Sequence, residues 1–341
     1  MKKSLILVLV VLALTLAFAP ACTPGGQTPT ATTPGTPAQP IAIKYASAGA
    51  VTLPPGDTTV KWLQMIEDRS NGRFVTEFYP NRQLGDDAGL LEQTMNGVIT
   101  GNIGSATAMA LFTPRLEALQ LPFLLNTYDK MQAAYATAEM QAIYKANEEF
   151  NIKTLTMWEN GLRHFASNAG PVNSPADLKG LKVRVLPSDL QLKIFSALGA
   201  NPTPMAYGEL YTGLNNKVID AVEINLTSIY SENLYEVIDY FTYVGFFPFP
   251  SQLIVNLDWW NGLSAADQNL IQTAANDSDD YCFGLFEMAE LRAVQAMEDA
   301  NIQFNTVANY QPFFDATSSV YNEWMAKDPL IKDFVEMARK L

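Results

Sequence analysis

An α/β fold is predicted by one run of the chain, residues 177–225, and by the length and composition around it. Leu181, Val183 and Val185 alternate with Lys182 and Arg184, the period-two pattern of a strand with one buried face. Ser188 follows as a helix N-cap, and Gln191 three residues on completes a capping-box pattern. Gly199 ends that helix where a left-handed residue is required, and Asn201, Pro202, Thr203 and Pro204 lead into a second short strand. A second helix starts near Gly208, and residues 217–223 form a third apolar run. Strand–helix–strand–helix–strand is the repeating unit of a parallel sheet. The 341 residues suggest about two domains on a prior of roughly 150 residues each. With 48% apolar residues the chain can fill sizeable cores.

The first 21 residues stand apart from that fold. Lys2 and Lys3 precede an apolar stretch, and Ala19, Pro20 and Ala21 offer small residues before Cys22, the pattern of an export signal. The apolar run is short for a membrane span of about 20 residues. Cys22 and Cys282 are the two cysteines, so no disulfide framework is expected, and Cys282 reads as a small core residue. Residues 23–40 are rich in Pro, Thr and Gly and read as a tether.

The ordered chain starts near Ile41. Strands are expected at 41–45, 73–79, 98–106 and 152–158, with helices from about Asp57, over 87–96 and over 128–150. Asn71 and Gly72 terminate the first of these helices. After Asn225 come a helix at 228–238, an aromatic-rich strand region at 240–257, a helix from Ser264 to about Ala300, a strand at 302–307 and two terminal helices. The cluster Asn276, Asp277, Ser278, Asp279 and Asp280 lacks the glycine and terminal glutamate of a calcium loop and reads as a solvated helix face.

The formal charge of −13 argues against a nucleic-acid partner. One histidine, His164, nearly excludes Ser-His-Asp, Cys-His and paired-histidine zinc sites, and it reads as structural. No G-x-S-x-G, Walker A or G-x-G-x-x-G pattern occurs. Arg184 carries the chemistry. It is a permanent charge near the carboxyl end of a sheet strand, just before a helix N-terminus, where open α/β sheets bind ligands and anions are favoured. Its alternative is a surface pair with Asp189 or Glu209.

Four segments carry a resemblance: GLKVRV, ALGANPTPM, the A-Y-x-E-x-Y pattern from Ala206 to Tyr211, and I-D-A-x-E from Ile219 to Glu223. With YPNRQLG from Tyr79 and LQLPF from Leu119, they resemble the extracytoplasmic solute-binding proteins of tripartite ATP-independent periplasmic (TRAP) transporters, the DctP family. The resemblance implies a two-lobed periplasmic-binding-protein-like fold with an interlobe cleft, crossover strands and a long helix spanning both lobes. The boundaries it implies are 41–160 plus 250–288 for lobe I and 161–249 plus 289–341 for lobe II. It implies a receptor that closes on an organic anion and delivers it to TRAP permease subunits, with no catalysis. Arg184 would hold the ligand carboxylate in a two-pronged pair that lysine cannot copy. Arg163 would add a second contact, its alternative being an interlobe salt bridge.

Other site residues follow from the same resemblance. Tyr207 matches a position that packs on the ligand. Trp158 and Phe247, with Phe246 and Phe249, fall on crossover strands near the expected cleft. A subset of the family uses the glutamate matching Glu223 to hold a metal beside the ligand. No other metal ligand can be named here, so the reading adopted is a structural hydrogen bond and no metal. Ile224 stands where a polar donor is usual, with Asn225 one residue on, and the first strand lacks a histidine often found there. A carboxylate with a largely apolar body is therefore expected over a polyhydroxylated acid. Cys22 resembles a lipoprotein processing site, which implies an extracytoplasmic, lipid-anchored protein. The alternatives are an accessory ligand receptor for a sensor and a surface-anchored enzyme acting on carboxylates, the latter disfavoured by the missing acid–base and nucleophile sets.

Overall fold

The computed structural model describes residues 39–341. The export segment 1–21, Cys22 and the tether up to residue 38 lie outside the described residues. The strands are β1 Ile41–Ser47, β2 Phe74–Tyr79, β3 Gly101–Ser105, β4 Ile152–Trp158, β5 His164–Ser167, β6 Lys182–Val185, β7 Asn201–Pro204, β8 Ala221–Ile224, β9 Tyr240–Tyr243, β10 Ser251–Asn256 and β11 Gln303–Thr306. They form two sheets, ordered β2-β1-β3-β10-β4 and β11-β9-β5-β8-β6-β7.

The parallel unit predicted for residues 177–225 is present. β6 runs parallel to β7 and to β8, and Gly199 closes the intervening helix at φ +82°. The run from Lys217 enters its strand later than the apolar pattern suggests. Lys217 adopts φ +56°, and the amides of Val218 and Ile219 still donate to the Gly213 carbonyl. Those bonds belong to a helix end, so the strand starts at Ala221.

The chain passes from the first sheet to the second between β4 and β5 and returns between β9 and β10. The two crossing segments bond to each other. The Arg163 amide donates to the Phe247 carbonyl (2.8 Å), the Phe246 amide to the Arg163 carbonyl (2.9 Å) and the Phe249 amide to the Gly161 carbonyl (3.0 Å). Gly161 sits at φ +98°, and a Cβ there would also lie 3.3 Å from that of Asn225, so the crossing is built for glycine.

Helix boundaries depart from the sequence pattern where a side chain competes for backbone groups. The first helix begins at Pro54, three residues before Asp57, because proline is tolerated in a first turn whose amides have no intrahelical partner. The single helix expected over 128–150 is instead Tyr128–Tyr135, Ala138–Ala146 and a 3-10 turn Asn147–Phe150. Thr137 caps the second of these, accepting from the Met140 amide. The helix expected from 264 to 300 is divided into Ala265–Asn276 and Asp279–Asp299, with the Ser278 hydroxyl donating to the Ala274 carbonyl at the break (2.7 Å).

The helix Asp279–Asp299 still ties the two halves. Cys282 and Phe286 pack into the core of the first sheet with Trp62 and Trp158. Ala293 and Met297 pack with Ile224, Ile229 and Phe241 of the second. Cys282 is a free thiol, fully buried, as a core residue should be. The acidic cluster is not wholly solvated: Asp279 is half-buried and accepts from the Trp158 indole (2.9 Å) and the Thr156 hydroxyl (3.2 Å). Among the described residues no helix is long and apolar enough to cross a membrane.

Candidate functional site

Between the sheets lies a cavity lined by the carboxyl ends of β1, β3 and β6, the crossing segments and the start of the first helix. Ser47, Ile103, Ser105 and Arg184 come from or directly follow sheet strands, and Ser228, Asn160 and Phe249 close the far side. The loop after β1 reaches the cavity because Gly56 lets the chain touch itself. A Cβ there would sit 2.2 Å from the Ala50 carbonyl oxygen, so any larger residue would push Ala48 and Ala50 out of the wall.

Arg184 is 1% exposed, although its alternation with valines suggested a solvated face. Lys182 at the start of the strand is exposed, whereas Arg184 near its carboxyl end is buried beside the cavity. Its Nε donates to the Met205 carbonyl (2.9 Å), which fixes the guanidinium at the strand end. Among the described residues it forms no salt bridge, neither with Asp189 nor with Glu209. Burial pushes its pKa down to about 10, against the pull of Glu223. The guanidinium stays charged at neutral pH, and Arg184 lines the cavity.

Arg163 lines the same cavity but is engaged on every side. Its Nε pairs with the Glu223 carboxylate. One terminal nitrogen donates to Asn225 Oδ1 (3.0 Å), the other to the Glu223 carbonyl (2.6 Å). The Phe249 ring lies 4.1 Å below. Both carboxylate and guanidinium are at most 2% exposed. The pair joins neighbouring strands of one sheet, so it is not a bridge between halves. Glu223 Oε1 has no partner, and among the described residues no group of three His, Cys, Asp or Glu is placed for a metal.

Tyr207 borders the cavity, its hydroxyl 3.4 Å from that of Ser231, and burial raises its pKa to about 12. Four expected site residues lie outside the lining. Glu223 and Asn225 support Arg163, and the Asn225 amide also donates to the Asn160 carbonyl and to Thr227 (2.7 Å). Trp158 and Phe247 are fully buried in packed cores. Phe246 and Phe247 pack against each other in one core, whereas Phe249 lines the cavity. Ile224 is fully buried against Leu226 and Phe241, so it forms no cavity wall and that part of the case for an apolar ligand falls, while Tyr207 and Phe249 do line the cavity. His164 takes the amides of Val244 and Gly245 on Nδ1 (both 3.1 Å); burial, then Arg163, holds its pKa near 3. It is a neutral structural acceptor.

The sequence reading missed the polar residues that share the cavity with Arg184. Asp87 is the first residue of helix Asp87–Met95, its carboxylate 3.5 Å from the Ser105 amide. Burial, reinforced by Asp86, lifts its pKa to about 6. With Asn160, Ser47, Ser105, Ser228 and Ser251 it supplies acceptors and hydroxyls around the cavity. Asp87 followed the QLG turn in the sequence, but helix-start aspartates commonly serve as caps, which hid it. The Ser188 cap also differs from expectation. It accepts from the Gln191 amide, yet Gln191's side chain turns to Gln120 (3.3 Å) and the Ser188 hydroxyl donates to Glu117 (2.6 Å).

A cavity between two sheets that brings a buried guanidinium together with hydroxyl, amide and carboxylate groups has the make-up of a ligand-binding site. The chain belongs to the bacterial extracellular solute-binding protein family 7, DctP, whose family model matches residues 46–328. A C4-dicarboxylate-binding periplasmic protein of Rhodobacter capsulatus is 30% identical over 77% of this chain and 79% of that one. A TRAP periplasmic solute-binding protein of Bradyrhizobium sp. btai1, in complex with D-galacturonate, superposes with TM-score 0.85 at 30% identity, covering 88% of this chain and all (100%) of that one. Another from Chromohalobacter salexigens, with bound D-glucuronate, gives 0.84 at 28% identity over 87% and 99%. The protein is thus an extracytoplasmic solute-binding receptor of the TRAP type with a two-lobed α/β fold.

Proposed function

We propose that the receptor captures a hydroxylated monocarboxylate of the sugar-acid class in this cavity and performs no chemistry on it. One observation carries the reading: the Arg184 guanidinium, without a carboxylate partner among the described residues, shares its cavity with Asp87, Asn160 and four serines. The ligand carboxylate pairs with Arg184 in the two-pronged geometry. Ligand hydroxyls donate to Asp87 and exchange bonds with the serines, as desolvated hydroxyls require. Arg163 is already neutralised by Glu223, so a second carboxylate would meet Asp87 without a free cation to offset it. The bound uronates of the two structural relatives support the same class.

Capture proceeds by population shift. The halves expected at 41–160 with 250–288, and at 161–249 with 289–341, close over ligand contacts that exist together only in the shut form. The closed complex then docks on TRAP permease subunits, while Cys22 holds the mature chain at the membrane through multiple acyl chains. Cell fractionation of Cys22→Ser tests the anchor: release into the soluble fraction is expected, and a wild type already soluble refutes it.

A thermal-shift panel tests the ligand. D-Glucuronate and D-galacturonate at a hundred times their dissociation constants should add about 2.7 kcal/mol of stability. Succinate and aromatic carboxylates should add little. Stabilisation by either of those, with none from the sugar acids, overturns the reading.

A further inference from the structure

Beside the cavity, outside its lining, the two halves are joined by a contact between Arg82 and Glu232. Arg82 lies in the turn after β2, where Asn81 and Arg82 are successive left-handed residues (φ +55° and +61°). Their amides donate to the Gly49 and Ser47 carbonyls (2.9 and 3.1 Å), so the turn is fixed to the loop that walls the cavity. From there the guanidinium crosses to the other half. Nη1 and Nη2 donate to the two oxygens of Glu232 (3.1 and 2.9 Å), which follows helix Leu226–Ser231, and Nη1 also donates to the Ala48 carbonyl (3.1 Å).

The surroundings fit this crossing. The Tyr207 ring lies 5.3 Å from the guanidinium carbon. A Cβ on Gly208 would stand 3.1 Å from Arg82 Cδ and Nε, and the Gly208 amide reaches Asp86 Oδ2 at 3.4 Å. The side chains are 28% and 12% exposed, shielded enough for geometry to matter and open enough for salt to reach. Neither Arg82 nor Glu232 is in the cavity lining.

We propose that Arg82 and Glu232 form a clasp that sets how much of the receptor is closed, and hence its affinity, without contacting the solute. Apparent affinity scales with the fraction of the binding-competent state. A cross-cleft pair made only when the halves meet raises that fraction and slows release. The clasp is therefore a positioning device for binding, and it rests on the receptor reading above.

A double-mutant cycle with two readouts tests it: Arg82→Met, Glu232→Gln and both together. Paired spin labels on exposed Lys61 and Lys217 report the separation of the halves without any ligand. Wild type should hold a short, narrow distribution, and all three variants should share one longer and broader distribution. With D-glucuronate as the probe, each variant, and equally the double, should release on the order of fivefold faster. High salt should move wild type toward the variants and leave the double unchanged. Identical distributions in all four proteins, or effects that simply add in the double, would overturn the clasp. If no sugar acid binds any of the four, the ligand class is wrong, and the distance measurement still decides the clasp.

Discussion

Arg184 and Arg163 border one cavity, yet their surroundings are opposite. Arg163 is bonded at all three nitrogens by Glu223 and Asn225 and rests on Phe249. Arg184 is equally buried but has one backbone carbonyl as its partner. A buried charge with its hydrogen bonds complete stabilises the fold. A buried charge left incomplete costs stability and is kept for a ligand that completes it. The contrast separates scaffold from binding group more sharply than position along the chain, since both arginines sit at strand ends of one sheet.

The largest effect should come from breaking the completed pair. Arg163→Met leaves the Glu223 carboxylate buried without its cation, a loss of about 3–5 kcal/mol. In thermal unfolding the midpoint should fall on the order of ten degrees. Arg184→Met, by contrast, should unfold within about a degree of wild type or above it, because a desolvated charge is removed. Equal destabilisation by both variants would erase the distinction between them.

A second test uses the crossing segment beside Arg163. Glu159 is fully buried, accepting from the Tyr135 hydroxyl (2.6 Å) and the amides of Asn160 and Gly161 (both 2.9 Å). Desolvation nevertheless raises its pKa to about 7. The folded state therefore binds a proton between pH 4.3 and 7 that the unfolded chain has released, and stability falls as pH rises through that window. Glu159→Gln should lose this slope, a difference of up to about 3 kcal/mol between pH 8 and pH 4.5. Matched slopes in wild type and variant would place the titration elsewhere. The smallest effect is expected for Tyr207→Phe, which gives up one 3.4 Å contact with Ser231. Calorimetry should find affinity reduced by less than about threefold, and a tenfold loss would make the hydroxyl a direct ligand contact.

Much of this was legible in the chain. The parallel unit from Lys182 to Ile224 follows from alternation, caps and glycine placement, and Arg184 could be assigned to the strand end from those alone. What was not legible depended on side-chain direction. Trp158, Phe247 and Ile224 lie on the expected strands but face packed cores, because period-two alternation does not say which face meets the cleft. Glu223 and Asn225 lie beside the cavity rather than in its lining, and their hydrogen bonds go to Arg163 and Asn160. Asp87 and the serines come from five separate segments that only the fold assembles. The helix breaks at Thr137 and Ser278 arose from hydroxyls bonding the backbone, a local competition that apolar periodicity does not register.

The central claim is that Arg184 holds the solute carboxylate. Calorimetric titration of wild type and Arg184→Ala with D-glucuronate tests it most directly. Losing a desolvated charge pair costs about 2–5 kcal/mol, so the variant should bind roughly thirty-fold more weakly or worse while its ligand-free melting point is retained. An unchanged dissociation constant in Arg184→Ala would contradict the account and place the anion on another group.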